Sequence, residues 1–125
     1  MRFRLTCLLL AVSVVLPACS RPDSACTLEA RAAVQVMVVD TRGGLQRDAR
    51  VTFTVDGGPE QQALCNGTSQ PGGPCDRWVT GYERAGEYVI TATSADGTRT
   101  ARTQVRVSED ECHVKTETVQ LTLPD

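Results

Sequence analysis

Apolar side chains recur at every second position in five segments of this chain, a spacing that suits a β-strand and not a helix. The inward-facing members of these segments are Val34-Val36-Val38, Val51-Phe53-Val55, Tyr88-Ile90-Ala92, Thr103-Val105-Val107 and Val119-Leu121-Leu123. Polar residues alternate with them, so each segment is predicted to be a strand with one buried and one wet face. After residue 18 we find no amphipathic stretch long enough for a helix, and an all-β fold is expected.

Turn sequences rich in glycine and proline separate these segments. They are Gly43-Gly44, Gly57-Gly58-Pro59, Gly72-Gly73-Pro74 and Asp96-Gly97. Asp96-Gly97 gives the clearest hairpin signal, because alternating segments flank it and glycine supplies a positive φ. Short strands that follow one another without intervening helices predict an antiparallel β-sandwich. A chain of 125 residues has room for one such domain.

The charge balance and the single histidine narrow the functional classes. A formal net charge of −2 gives no basic face for a nucleic acid, so no nucleic-acid partner is expected. His113 is the only imidazole, and a catalytic base needs a nucleophile or substrate and an orienting partner. We therefore expect His113 to be structural or on the surface, and the protein not to be an enzyme.

The first eighteen residues have the pattern of an export signal. Arg2 and Arg4 form a basic front, residues 8–16 are almost wholly apolar, and the run is too short to span a bilayer as a helix. The segment Leu16-Pro17-Ala18-Cys19 resembles the lipobox of bacterial lipoproteins, although Pro17 stands where that pattern usually has Ala, Ser, Thr or Val. The prediction is a lipoprotein signal peptide over residues 1–18.

The lipobox resemblance implies where the protein is found. Cleavage before Cys19 and lipidation of Cys19 would anchor the mature chain in a membrane of the bacterial cell envelope, since several acyl chains together bind stably. Ser20 after the lipidated cysteine resembles the signal for the outer membrane, with the domain facing the periplasm or the cell surface. Residues 19–27 would then be a tether, and residues 28–125 the folded domain.

Four cysteines remain in the mature domain, and an even number in an exported protein indicates disulfides. Three pairings are possible. Cys65 and Cys75 bracket a turn-rich loop that can close on itself, which leaves Cys26, before the first strand, to pair with Cys112, at the start of the last. A four-cysteine zinc site is disfavoured because the chain has no CxxC pair, and we expect no metal and no cofactor.

Two motifs resemble the carboxypeptidase regulatory-like family. They are Val38-Val39-Asp40-x-x-Gly43 followed by Asp48-Ala49-Arg50-Val51-x-Phe53, and Tyr82-Glu83-x-x-Gly86-x-Tyr88-x-Ile90-x-Ala92. The resemblance implies a transthyretin-like sandwich of about seven strands. Domains of that family are usually non-catalytic modules. Purine-pathway hydrolases of similar fold carry a C-terminal Tyr-Arg-Gly-Ser, whereas this chain ends in Leu121-Thr122-Leu123-Pro124-Asp125.

The remaining candidate sites are weak. Glu109, Asp110 and Glu111 form an acidic tip that is more typical of a solvated turn than of a calcium site. Trp78 and Tyr82 could stand at the mouth of a glycan or small-ligand site, although core packing is the more expected role of Trp78. The predicted function is thus a non-catalytic envelope module with a structural role or an unidentified protein partner. The alternatives are a small-ligand or glycan-binding domain, or a protease inhibitor that uses the Cys65–Cys75 loop; a hydrolase is least expected.

Overall fold

The computed structural model describes residues 26–67 and 73–125, which form two four-stranded sheets. The strands are β1 Ala32–Val39, β2 Arg50–Val55, β3 Gln61–Gln62, β4 Leu64–Cys65, β5 Trp78–Tyr82, β6 Gly86–Thr93, β7 Thr100–Val107 and β8 Glu117–Thr122. The predicted all-β sandwich class is confirmed. A search of these residues for a helix long and apolar enough to cross a membrane finds none. The predicted signal peptide, Cys19 and residues 20–25 of the tether lie outside the described residues.

One sheet, in the order β3-β2-β6-β7, is antiparallel throughout and follows the predicted alternation. Its inward side chains include Val51, Phe53, Tyr88 and Ile90, which are buried, while the residues between them face solvent or are half-buried. The Phe53 and Tyr88 rings stack with centroids 5.9 Å apart. Period-two patterning therefore located these strands because one face is dry and the other wet.

The other sheet, in the order β4-β5-β1-β8, contains a parallel pair that the antiparallel prediction did not include. β1 pairs with β8 in parallel, with Val34 opposite Glu117 and Val39 opposite Thr122. The direction follows from the connections, because β7 ends at the same end of the sandwich where β1 begins. The chain reverses there over residues 108–116, and β8 starts beside the start of β1.

β5 was not predicted as a strand because it is buried on both sides. Trp78, Val79 and Thr80 are all buried, so no wet–dry alternation marks the segment. Thr80 also places a hydroxyl at an inward position opposite Val34, where an apolar residue would have continued the pattern. The short strands β3 and β4 have only two residues each, too few for any periodicity to be read.

The prediction that Cys112 opens the last strand is wrong. β8 begins at Glu117, and residues 108–116 form a reversal instead. Asp110 organises that reversal, because its Oδ1 accepts hydrogen bonds from the N–H groups of Cys112 and His113, both at 2.9 Å. The predicted Asp96-Gly97 hairpin is confirmed between β6 and β7, with Gly97 at φ 76°.

Strand directions divide the connections between two opposite ends of the sandwich. The N-terminal pole comprises residues 26–31, 56–58, 83–85 and 108–116. The distal pole comprises residues 40–48, 66–67, 73–77, 94–99 and 123–125. Backbone hydrogen bonds join neighbours within each pole, such as Glu83 N–H to Arg31 O and Cys75 N–H to Arg47 O. The two disulfides fall at different poles.

Candidate functional site

Both predicted disulfides are present. Cys26 pairs with Cys112 at the N-terminal pole, with their Cα atoms 5.2 Å apart, and Cys65 pairs with Cys75 at the distal pole, with Cα atoms 5.6 Å apart. The first closes a sequence separation of 86 residues and the second one of 10. Each disulfide stands beside a polar cluster, and these two clusters are the candidate functional features of the fold.

At the N-terminal pole, three side chains that are distant in sequence meet around His113. Its Nδ1 lies 2.7 Å from Glu83 Oε1, and its Nε2 lies 2.9 Å from Thr27 Oγ1. The His113 side chain is 10% exposed, so the ring is held between the segment before β1 and the turn after β5. This cluster of Thr27, Glu83 and His113 is called the His113 clamp below.

The Glu83 carboxylate binds more than the imidazole. Oε1 also accepts the Arg31 N–H at 2.7 Å, and Oε2 accepts the Val114 N–H at 3.2 Å. The Arg31 N–H is the main reason that the pKa of Glu83 lies below its ordinary value. Burial opposes it as the second-largest effect, and the hydrogen bonds from His113 and Val114 lower the pKa further. As an anion, Glu83 therefore joins its own turn to two other segments of the pole, residues 26–31 and 108–116.

The order hydroxyl, imidazole, carboxylate resembles the nucleophile, base and orienting acid of a hydrolytic triad. A hydrolase also needs free N–H donors for the oxyanion. Here the neighbouring N–H groups of Arg31, Cys112, His113 and Val114 are already bonded to carboxylates. Acidic residues also line the adjoining cavity of about 450 Å³, namely Glu29, Glu83, Glu109, Asp110 and Glu111. Such surroundings disfavour a developing anion, and the geometry supports a structural clamp.

The acidic residues around the clamp do not assemble into a metal centre. Across residues 26–67 and 73–125, no group of three His, Cys, Asp or Glu side chains is arranged to hold a metal ion. Asp110 instead uses its carboxylate on backbone N–H groups, which lowers its pKa, mainly through the His113 and Cys112 bonds. The acidic tip was predicted to be a solvated turn. It is a turn, and the carboxylate of its central residue, Asp110, accepts hydrogen bonds from the backbone of that same turn.

Glu83→Gln is expected to make the stability of the fold less dependent on pH in the acidic range. Because its folded-state pKa is lowered, Glu83 contributes stability above its ordinary pKa of 4.5, and this contribution is lost as the pH falls through the folded-state value. The wild type should therefore lose stability more steeply than Glu83→Gln below that pH. Urea denaturation midpoints measured from pH 7 to pH 3 would show it.

The matched control for that experiment is Glu109→Gln. Glu109 stands in the same pole but makes no side-chain hydrogen bond or ion pair with any described residue. Its variant should follow the wild-type profile in shape. Parallel profiles for wild type and Glu83→Gln would contradict the role assigned to Glu83.

The two aromatic residues predicted as a weak binding pair are not brought together on a surface. Trp78 is 5% exposed and belongs to the hydrophobic core, whereas Tyr82 is 53% exposed at the other end of β5. A glycan platform needs exposed ring faces. Tyr82 alone remains accessible, and Trp78 serves packing.

At the distal pole, the Cys65–Cys75 disulfide fixes a loop against the connection between β1 and β2. Cys75 is buried in the core, its N–H donates to Arg47 O at 2.8 Å, and Arg47 pairs with Asp76. Leu45 is 46% exposed nearby and lines a shallow cavity of about 460 Å³ with Met37, Asn66 and Arg77. Residues 75–76 are thus held against the β1–β2 connection. Residues 68–72 lie outside the described part.

Comparison with protein-family models, curated proteins and solved structures finds no match for this chain. The lipobox and carboxypeptidase regulatory-like resemblances therefore stay predictions from sequence.

Proposed function

We propose that this protein is a non-catalytic, lipid-anchored module of the bacterial cell envelope that acts by binding another envelope protein. The export pattern of residues 1–18 and the lipobox-like segment ending at Cys19 support the anchor. The occupied N–H groups and acidic surroundings of the His113 clamp support a role without catalysis. The observation that carries the proposal is the position of the Cys26–Cys112 disulfide.

That disulfide limits how far the domain can move from its anchor. Cys26 lies seven positions after Cys19. An extended chain advances at most about 3.6 Å per residue, which gives a reach of about 25 Å. Because Cys26 is bonded to Cys112 at the N-terminal pole, that pole would stay close to the membrane. The distal pole and the flanks of the sandwich would face away from it, where a partner can approach.

The alternatives are less well supported by the geometry. Burial of Trp78 removes one of the two rings on which a glycan site was based. An inhibitory Cys65–Cys75 loop would need an extended segment that a protease can bind, and the described residues 66–67 and 73–75 do not form a strand beyond Cys65. Protein binding through a sheet or a pole requires neither feature.

Metabolic labelling tests the anchor. An alkyne analogue of palmitate should label the wild-type protein and leave Cys19→Ala unlabelled, because Cys19 is the acceptor sulfur. Cys7→Ala, which alters a cysteine within the predicted signal peptide, is the matched control and should label as strongly as the wild type. Equal labelling of wild type and Cys19→Ala would contradict the proposal.

A further inference from the structure

β7 forms a long free edge of the sandwich. It lies at the end of its sheet and pairs only with β6 among the described strands, through eight consecutive residue pairs from Gly86–Val107 to Thr93–Thr100. It contains no proline and no bulge, two of the features that commonly protect such edges, and its charged side chains Arg102 and Arg106 lie on one face only. The edge strands β3 and β4 end after two residues, and β8, at the edge of the other sheet, has six residues and pairs in parallel with β1. β7 therefore has a row of backbone groups available to another strand.

The direction of those backbone groups follows from the hairpin. Ser94 N–H donates to Arg99 O at 2.9 Å, so this pair is hydrogen-bonded, and bonded pairs alternate with non-bonded pairs along an antiparallel ladder. Ala101, Thr103 and Val105 consequently bond towards β6. The N–H and C=O groups that point to the free edge belong to the alternate residues Thr100, Arg102, Gln104 and Arg106.

The side chains along this edge differ in chemistry on their two faces. Arg102, Gln104 and Arg106 lie on the outer face, where Arg106 Nε pairs with Glu87 at 3.1 Å and Arg102 makes no ion pair with a described residue. On the inner face, Val105 and Val119 pack against the core but remain partly exposed, because the sheet stops at β7. A further strand beside β7 would meet cations outside and apolar groups inside.

We propose that the β7 edge binds an extended segment of a partner protein in which acidic and apolar residues alternate. The partner would add a fifth strand to this sheet through the free backbone groups of β7, a mode known as β-augmentation. Its acidic side chains would face Arg102 and Arg106, and its apolar side chains would cover the exposed parts of Val105 and Val119. Opposite charges directly across two strands are favourable.

A second copy of the chain fits this edge less well than an acidic segment. Pairing β7 with itself would bring two copies of Arg102 and two of Arg106 onto one face of a two-strand ribbon. Like charges on adjacent strands are destabilising, and each copy offers only Glu87 on that face as a described counter-charge. Charge complementarity therefore selects a partner of the opposite sign.

The inference rests on the proposed protein-binding role and adds the surface and the partner's chemistry. The test uses the full-length protein in mild detergent and two fluorescent eight-residue peptides, one alternating valine with glutamate and one alternating valine with lysine. Fluorescence anisotropy should show saturable binding of the glutamate peptide. The lysine peptide should bind at least about tenfold more weakly, equivalent to about 1.4 kcal/mol.

Two substitutions at one position separate the backbone contribution from the side chain. Gln104→Pro removes an N–H that points to the free edge without removing a bond to β6, and edge strands tolerate proline. It should weaken binding of the glutamate peptide at least about tenfold, whereas Gln104→Ala, which keeps the N–H, should stay within about twofold of wild type. Arg102→Glu should reverse the preference between the two peptides. If Gln104→Pro does not fold, this variant provides the test instead.

Three results would overturn the inference. The first is absence of saturable binding of the glutamate peptide to the folded wild type, and the second is equal affinity of wild type and folded Gln104→Pro. The third is a wild-type dimer in sedimentation velocity that Gln104→Pro converts to a monomer, because a second copy would then occupy the edge. Failure of the Cys19 labelling would change none of these readouts, so the anchor and the edge are tested separately.

Discussion

Replacing Cys26 and Cys112 together with alanine is expected to lower the free energy of unfolding by about 4.6 kcal/mol, the value that loop-closure entropy gives for a loop of this length. The bridge joins residues 86 positions apart, so its loss frees nearly the whole domain in the unfolded state. In the folded state, the bridge also holds Thr27 next to His113, and its removal would weaken the hydrogen bond between their side chains. Urea denaturation under non-reducing conditions measures the change.

The Cys65→Ala/Cys75→Ala variant is the matched comparison. Its bridge joins residues 10 positions apart, for which the same argument gives about 2.8 kcal/mol. Because Cys75 is buried in the core, truncating it adds a packing loss of about 1 kcal/mol, which narrows the difference without reversing it. If removing the short bridge lowered the free energy of unfolding more than removing the long one, this order would be contradicted. Such a result would show that constraint of the distal loop contributes most to stability.

Gly81→Ala is expected to destabilise the protein by about 3 kcal/mol, although it adds only one methyl group. Gly81 has φ 40°, a left-handed conformation that costs a residue with a Cβ about 1–2 kcal/mol. A Cβ there would also stand 2.5 Å from the Tyr88 hydroxyl, which donates to Arg84 O at 2.7 Å. Moving that hydroxyl would leave the Arg84 carbonyl without its donor, a further cost of about 1–3 kcal/mol.

A double-mutant cycle separates the contact from the backbone strain. In a Tyr88→Phe background the nearest ring atom lies 3.4 Å from the added Cβ, an ordinary contact, so Gly81→Ala should cost only the strain of about 1–2 kcal/mol. Gly43→Ala is the second control, since Gly43 has φ 83° with open space around it and should also show strain alone. Equal costs of Gly81→Ala in both backgrounds would contradict the proposed contact.

Sequence patterning predicted the long strands because more buried and less buried positions alternate along most of their length. It missed β5, where Trp78, Val79 and Thr80 are all buried and no alternation exists. It also missed the parallel pairing of β1 with β8, because a strand's residues indicate which face is buried but not which neighbour it joins. The disulfide pairing was predictable from the turn-forming loop between Cys65 and Cys75, which can close on itself.

The His113 clamp was beyond the reach of sequence spacing. Its members Thr27, Glu83 and His113 are separated by tens of residues and meet only because three connections share one pole. The acidic residues next to His113 in sequence suggested local partners, and Asp110 does accept its N–H. The imidazole itself turns to Glu83, a residue whose positive φ of 53° places it in a tight turn after β5.

The parallel pairing of the first and last strands sets the order in which the domain can be completed. The β6–β7 hairpin has partners close in sequence and can form early, because closing a short loop costs little entropy. β1 lies between β5 and β8, and both of these strands follow it in the chain. The edge of β1 that pairs with β8, beginning with Val34 opposite Glu117, therefore stays unpaired until β8 has been made. Until then this valine-rich edge is open to other chains, which makes the interval before β8 is synthesised a period of aggregation risk.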